Sequence, residues 1–389
     1  MSRKSVTLFM VIFALVLFGC NLTSTATPPI ISTNTATISP VDTATATPVA
    51  ATATLAPSNT PLPTATASSA PSDTPIPTAS NTSAPVPTPG SSSYIDDRST
   101  ASQVIVSLYN AINRQEYLRA YNYWTNPSTS LGSFGSYAAG YQDTALVDLV
   151  FGNITGDAGM SQVYYTIPVI LKTTAKNSVR TNYAACYIVH QAAPGVFGAP
   201  PFEPMGIDRG QAKPSDINAS VSAALATACN GYPVGPNPVP TSGTTLDISQ
   251  NNFLDNRSGP IETVSSFLNA LNLKQYVRAY YYYQDPASYP GSYATYAAGY
   301  ADTDSITVTF GTVQSEGAAG SLYYKVPLAL HVKTTLNTKQ TFVGCYTLRL
   351  SQPAVQGTPP FQPMGIISGK FNQVNNSTDV NPLLPMACN

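Results

Sequence analysis

The spacing of hydrophobic positions changes once within each of two long stretches of the chain. Apolar residues first recur every three or four positions and then alternate with polar ones. The first spacing predicts amphipathic helices, and the second predicts strands with one buried face. Helices are therefore predicted at 104–112, 117–124 and 134–141, and strands at 147–151, 163–172, 182–190 and 205–208.

The same succession occurs twice. Residues 105–230 align without a gap on residues 264–389, at an offset of 159. YLRAY at Tyr117 recurs as YVRAY at Tyr276, and SYAAGY at Ser136 recurs as TYAAGY at Thr295. We therefore predict a first repeat at 94–232, a linker at 233–251 and a second repeat at 252–389.

Helices followed by a run of strands favour an α+β fold, with an antiparallel sheet and helices on one face. Pro260 is expected to begin the first helix of the second repeat. Gly140 and Gly299 are expected to end the third helix in a left-handed conformation. Pro168 and Pro327 fall inside a strand pattern, so that strand is expected to be an edge strand or bulged.

The N-terminus predicts an export signal. Arg3 and Lys4 precede an apolar run that ends in Gly19-Cys20. The run is too short for a membrane span but suits a signal peptide, here 1–20. Its ending resembles a bacterial lipobox, which implies lipidation of Cys20 and an anchor on the outer face of a membrane. The alternative is an ordinary secreted protein in which Cys20 has no special role.

Residues 21–93 are rich in Thr, Ala, Ser and Pro, and this composition predicts a disordered, extended stalk. The formal net charge of the chain is −1, with few charged residues of either sign. We therefore expect no nucleic-acid partner, and a membrane partner only through the lipid anchor.

Four cysteines belong to the repeats, because Cys186 and Cys229 recur as Cys345 and Cys388. The copied spacing and an exported, oxidising location favour the pairs Cys186–Cys229 and Cys345–Cys388. Four cysteines allow two other connectivities, and four free thiols are the remaining alternative.

Several copied segments resemble a known family. They are NAIN at Asn110, YLRAY at Tyr117, YAAGYQDT at Tyr137 and GCY at Gly344. Together they look like the nuclear transport factor 2-like, or SnoaL-like, cone fold found in bacterial lipoproteins. The resemblance implies two tandem cone-shaped domains, each with N-terminal helices on a curved antiparallel sheet. The family includes isomerases, hydrolases, dehydratases and domains that only bind, so the resemblance indicates fold more than function.

A cone would leave a pocket between the helices and the sheet. The copied tyrosines are the candidates to line it, because they recur at helical spacing and offer an apolar ring with a hydroxyl. A core role, with the hydroxyl at the rim, is the alternative. The candidates are Tyr117, Tyr121, Tyr137, Tyr141, Tyr276, Tyr280, Tyr296 and Tyr300.

Catalytic chemistry has little support in the sequence. His190 and His331 are not copied between the repeats, and no metal-ligand spacing or phosphate-binding loop is present. Asp143 is a candidate for an isomerase-like general base, with Tyr121 or Tyr137 as the tyrosine beside it. A structural pair of Asp143 with Arg119, copied as Asp302 with Arg278, or an aspartate capping a turn is the alternative.

The sequence therefore predicts a lipid-anchored, stalked protein of the bacterial cell envelope that binds a small molecule, glycan or protein. We expect no catalytic residues, metal or cofactor. A SnoaL-like isomerase or hydrolase and a structural envelope spacer are the two alternatives.

Overall fold

The computed structural model describes residues 93–239, 246, 248–250 and 252–389. The predicted signal peptide, Cys20 and all but the last residue of the predicted stalk lie outside this range. No helix among the described residues is long and apolar enough to cross a membrane.

The first repeat contains four helices, five strands, a further helix and a short added strand. The helices are α1 (Ala101–Asn113), α2 (Tyr117–Tyr121), α3 (Pro127–Leu131), α4 (Phe134–Gly140) and α5 (Val221–Ala228). The strands are β1 (Thr144–Phe151), β2 (Ile154–Gly159), β3 (Gln162–Ala175), β4 (Arg180–Ala192), β5 (Gly206–Ser215) and β6 (Asn237–Val239). A single 3₁₀ turn, Pro194–Val196, follows β4.

The second repeat has the same order of its five main strands, but α3 and α5 have no α-helical counterpart in it. Its helices are α6 (Pro260–Asn272), α7 (Tyr276–Tyr280) and α8 (Tyr293–Ala298). Its strands are β7 (Thr303–Phe310), β8 (Gln314–Ala318), β9 (Ser321–Thr334), β10 (Lys339–Ser351) and β11 (Gly365–Val374). Short 3₁₀ turns lie at Pro353–Val355 and Leu384–Met386.

Each repeat has one antiparallel sheet, as the predicted α+β class requires. The first sheet has the order β5-β4-β3-β2-β6, and β1 also pairs with β3. The second has the order β11-β10-β9-β7, and β8 also pairs with β9. Strand β6 lies inside the predicted linker, where Val239 pairs with Ile154 of β2 and extends the first sheet.

The long first helix of each repeat packs on its sheet. Positions Ala101 to Ile112 of α1 are all buried, and α6 is buried from Thr263 to Asn272. Asn113 fixes the helix to β1, because its amide accepts from Val147 N at 2.7 Å and donates to Val147 O at 3.0 Å. Asn272 and Ile306 repeat this exchange at 2.8 and 2.9 Å. The copied asparagines are therefore structural.

The opposite face of each sheet is covered by the segment that ends in the second cysteine. Helix α5 packs on β3 and β4, and the 3₁₀ turn at Leu384 packs on β9. The structure contains both predicted disulfides, Cys186–Cys229 and Cys345–Cys388. Each disulfide joins this covering segment to the strand beneath it, and together the two bonds indicate an oxidising, extracytoplasmic environment.

Two details of the predicted helices are wrong. Gly140 and Gly299 do not adopt a positive φ, because α4 and α8 end in ordinary right-handed turns. The second helix stops at Tyr121 and not at residue 124. Residues after it turn to pair with β5, where Thr125 N donates to Ile207 O at 2.9 Å and Ile207 N donates to Tyr123 O at 2.8 Å.

The expectation that the proline-containing strand is an edge strand or bulged is also wrong. Strand β3 is central and pairs with β4 without a register shift. Its other side is shared by two short strands, and Pro168 lies in the gap between them, where no partner needs its missing N–H. Gly152 fills that gap and donates to Pro168 O at 2.8 Å, and Gly311 does the same to Pro327 O.

The two repeats contact each other through equivalent extended segments, 93–98 and 252–257. Asp97 and Asn256 form an antiparallel bridge. Arg98 N donates to Asp255 O at 2.7 Å. The equivalent bond in the other direction joins Arg257 N to Asp96 O at 2.6 Å.

Serine side chains extend this reciprocal contact. Asp96 N donates to Ser258 Oγ, and Asp255 N donates to Ser99 Oγ, both at 2.9 Å. Each of these four bonds therefore has a counterpart 159 residues away. Such pairing of one surface with its own copy is the arrangement of a two-fold interface, here formed within one chain.

Candidate functional site

The copied arginines of α2 and α7 are buried structural residues. Arg119 Nε donates to Glu116 Oε2 at 2.7 Å, Nη2 donates to Asn110 Oδ1 at 2.9 Å, and Nη1 donates to Ile95 O. Arg278 forms the same bonds with Gln275, Asn269 and Leu254 O. The arginines thus hold the segments that join the repeats.

One partner differs between the two arginines, because Glu116 is replaced by Gln275. Burial lowers the pKa of Arg119, but the surrounding Tyr123, Tyr94, Glu116 and Asp96 more than offset it and raise the pKa above its usual value. Burial lowers the pKa of Arg278, and its surroundings do not offset that effect. The Nε of the buried guanidinium therefore has a carboxylate partner in the first repeat and an amide partner in the second.

The structure does not form the candidate catalytic site around Asp143. Asp143 and Asp302 are exposed in the turns before β1 and β7, where their backbone oxygens accept from Lys176 N and Thr335 N. The predicted pairs of Asp143 with Arg119 and of Asp302 with Arg278 are wrong, because each arginine is buried and bonded elsewhere. Of the two candidate tyrosines, Tyr121 donates its hydroxyl proton to Gly132 O at 2.6 Å, and the ring of Tyr137 packs against it.

The histidines lie on strands, as expected. His190 Nε2 is bonded to Gln162 Oε1, and its ring lies 4.8 Å from that of Tyr164. His331 Nδ1 lies 3.3 Å from Thr341 Oγ1. Among the described residues, no group of three or more His, Cys, Asp or Glu side chains is placed to hold a metal ion.

The candidate tyrosines pack against one another inside each repeat. Ring centroids are 5.4 Å apart for Tyr121 and Tyr137, and 5.1 Å apart for Tyr137 and Tyr141. The second repeat reproduces both distances within 0.1 Å, with its pairs at 5.3 and 5.1 Å. Tyr117 stacks on Tyr141 at 6.5 Å, and Tyr276 stacks on Tyr300 at the same distance. Their role as pocket residues stays a prediction.

A cavity of about 370 Å³ lies where the two repeats meet. Both repeats contribute residues, and several of these are equivalent pairs. The pairs are Asp96 with Asp255, Arg98 with Arg257, Asn122 with Tyr281, Phe202 with Phe361, and Pro204 with Pro363. Its volume falls at the lower end of the range typical of small-molecule sites.

The charged residues of this cavity are held by their own repeats. Arg98 donates to Met205 O at 2.6 Å and to Asn122 O at 3.0 Å. Arg257 makes the equivalent bonds to Met364 O and Tyr281 O, both at 2.9 Å. The aspartates accept from tyrosine hydroxyls, Asp96 from Tyr123 at 2.7 Å and Asp255 from Tyr282 at 2.6 Å. The charged lining is therefore fixed in position before any ligand enters.

Gln284 breaks the two-fold relationship. It lines the cavity, and both polar atoms of its side-chain amide are buried without a hydrogen-bond partner in the described part of the chain. The equivalent residue, Thr125, instead directs its hydroxyl to Ile207 O at 3.3 Å. A buried amide with no partner costs about 1–3 kcal/mol, so Gln284 is an unfavourable residue at this position of the folded chain.

Sequence reasoning missed this cavity. The signals were present, because PFEPMG at 201–206 recurs as PFQPMG at 360–365, and DDR at 96–98 recurs as DNR at 255–257. From the sequence, the first pair predicts only the start of a strand, at 205–208 in the first repeat. No protein-family model matches the chain, and no curated protein is significantly similar to it.

Proposed function

We propose that this is a binding protein of the bacterial cell envelope whose ligand site is the cavity between the two repeats. The observation that carries the proposal is a preformed cavity whose lining includes Gln284, a residue with a buried and unpartnered side-chain amide. Aromatic rings of Phe202 and Tyr281, 6.4 Å apart and contributed by different repeats, supply apolar surface beside it.

Each repeat, in this proposal, is a cone-shaped domain of the nuclear transport factor 2-like kind. Support comes from the element order, with α1, α2 and α4 before an antiparallel sheet. The SnoaL-like enzyme alternative gains nothing from Asp143 and Asp302, because a general base must come within hydrogen-bond reach of a bound substrate and both are exposed in turns.

The lipid anchor at Cys20 belongs to the same proposal, and fractionation of cells tests it. The unmodified protein should sediment with membranes, and Cys20→Ser should be soluble, because one residue carries the lipid chains. Membrane association that persists in Cys20→Ser would refute the anchor. It would leave the cavity untouched.

Asn122→Tyr tests the cavity. The substitution gives the first repeat the residue that the second repeat carries at Tyr281, and it should fill part of the cavity without disturbing the backbone bond to Arg98. The purified full-length protein is screened against a small-molecule, glycan and peptide panel by thermal shift. Ligands should raise the unfolding midpoint of the unmodified protein and not of Asn122→Tyr. If the ligands raise the unfolding midpoint equally in both proteins, the ligand site lies outside this cavity.

A further inference from the structure

We infer that the cavity between the repeats takes an uncharged, polyhydroxylated ligand, namely a saccharide of one or two rings, and that Gln284 recognises it. The inference rests on the proposed function and narrows it to a ligand class. Three properties of the cavity carry it: its charge balance, the unpaired atoms of Gln284 and its aromatic walls.

The charges in the cavity wall compensate one another. Arg98 and Arg257 face the same cavity as Asp96 and Asp255, and the third guanidinium, Arg119, is paired with Glu116 at 2.6 Å. With Glu116 counted, although it does not line the cavity, three guanidiniums are matched by three carboxylates, so the site has no excess charge to neutralise a phosphate, a carboxylate or an ammonium group. Because a buried ion needs a counter-charge, an uncharged ligand suits this site better than an ion.

The Gln284 amide requires a partner that both donates and accepts. Its Nε2 supplies two donor hydrogens, and its Oε1 accepts, and both atoms are unpaired. Neighbouring hydroxyl groups of a sugar meet both needs, since each hydroxyl can donate and accept. A proline-rich peptide does not, because proline has no N–H to offer Oε1.

Much of the remaining wall is apolar, although Asn122 and Gln362 also line it. Phe202 and Phe361 lie at equivalent positions, and Tyr281 lies beside Phe202. Prolines 204, 286, 360 and 363 complete the surface. Such a wall accommodates the C–H face of a sugar ring while its hydroxyls reach the polar groups, and a volume of about 370 Å³ limits the ligand to a small saccharide.

Calorimetric titration of the full-length protein tests the inference. The probes are glucose, galactose, N-acetylglucosamine, their disaccharides, and glucuronate as a charged analogue. At least one neutral sugar should bind more tightly than glucuronate. Gln284→Leu should weaken that sugar's binding about 10-fold or more, because two hydrogen bonds are lost. Its unfolding midpoint should stay unchanged or rise, because a buried unpaired amide is removed.

Gln142→Leu is the matched control, since Gln142 is exposed in the turn after α4. It should bind the sugar as the unmodified protein does. Equal sugar affinity in Gln284→Leu overturns the role of Gln284. A cavity ligand that is charged or a peptide overturns the saccharide class and leaves the proposed function standing. No ligand of any class in either the titration or the panel screen overturns both.

Discussion

Asp97 lies opposite Asn256 in the antiparallel bridge between the two repeats, so a carboxyl and an amide occupy equivalent positions of one interface. Asp97 is only 6% exposed. Burial raises the pKa of Asp97 to about 6, and hydrogen bonds from Ser99 oppose that rise while Asp255 and Asp96 add to it. At neutral pH the folded protein therefore contains an ionised, buried Asp97, and this charge destabilises the fold.

Asp97→Asn is expected to stabilise the protein at pH 7. Because the folded-state pKa is above the unfolded value of 3.8, folding favours the protonated acid, and that stability is lost as pH rises from about 4 to about 6. A difference of about two pKa units corresponds to a gain of about 3 kcal/mol above pH 6. Urea denaturation of both proteins between pH 4 and pH 8 measures this difference in the free energy of unfolding.

The control for this prediction is Asp157→Asn, since Asp157 is exposed in β2 and its loss should leave the pH profile unchanged. The reciprocal change, Asn256→Asp, should lower stability at pH 7 because it sets a partly buried acid opposite the buried Asp97. If Asp97→Asn has the same pH profile as the unmodified protein, Asp97 is not the titrating group.

Glu116 and Gln275 provide a second natural comparison between the repeats. Gln275→Glu should stabilise the protein. At present the amide Oε1 of Gln275 lies 2.7 Å from Nε of the buried Arg278, and the substitution replaces this amide with a carboxylate. Glu116→Gln should destabilise it by about 1–3 kcal/mol, the usual range for a lost hydrogen bond to a charged group. Denaturation of both variants and of the double exchange measures the effects. The prediction requires that the two single variants change the free energy of unfolding in opposite directions.

Much of the fold could be predicted from the chain because its pattern is local. The spacing of apolar residues predicts the helices that precede each sheet in the sequence, and the copied cysteines predict both disulfides. The wrong details depend on tertiary partners: Pro168 is tolerated in a central strand only because two short strands leave a gap beside it. The cavity was missed for the same reason. Gln284 and Phe202 are distant in sequence, and only the contact between the repeats makes them part of one wall.

The disulfides should stabilise the two repeats about equally. Cysteines 186 and 229, and cysteines 345 and 388, are each separated by 43 positions. Closing a loop of this length is worth about 4 kcal/mol in the chain-entropy model. Replacing either pair by alanine should therefore lower stability by about that amount in urea denaturation. Non-reducing peptide mapping should show the other pair still linked within its own repeat, and a cross-repeat link would contradict the pairing.

Tyr121 and Tyr280 decide whether the tyrosine clusters are core or pocket. Tyr121 is 4% exposed and Tyr280 is 6% exposed, and each donates to the backbone oxygen of a glycine with positive φ, Gly132 or Gly291, at 2.6 Å. As core residues, each should cost about 3–5 kcal/mol when changed to alanine. Each should cost about 1 kcal/mol when changed to phenylalanine, which removes only the hydroxyl bond.

Urea denaturation of the four variants makes the measurement, with Tyr164→Ala as the control because that ring is 42% exposed. A loss below about 1 kcal/mol for both alanine variants would mean that the surrounding rings do not depend on Tyr121 and Tyr280 for packing. Loss of sugar binding without loss of stability in those variants would then move the ligand site from the cavity to the tyrosine clusters. The expected result is the reverse: the alanine variants lose stability, while Tyr121→Phe and Tyr280→Phe keep the ligand affinity of the unmodified protein, because neither hydroxyl lines the cavity between the repeats.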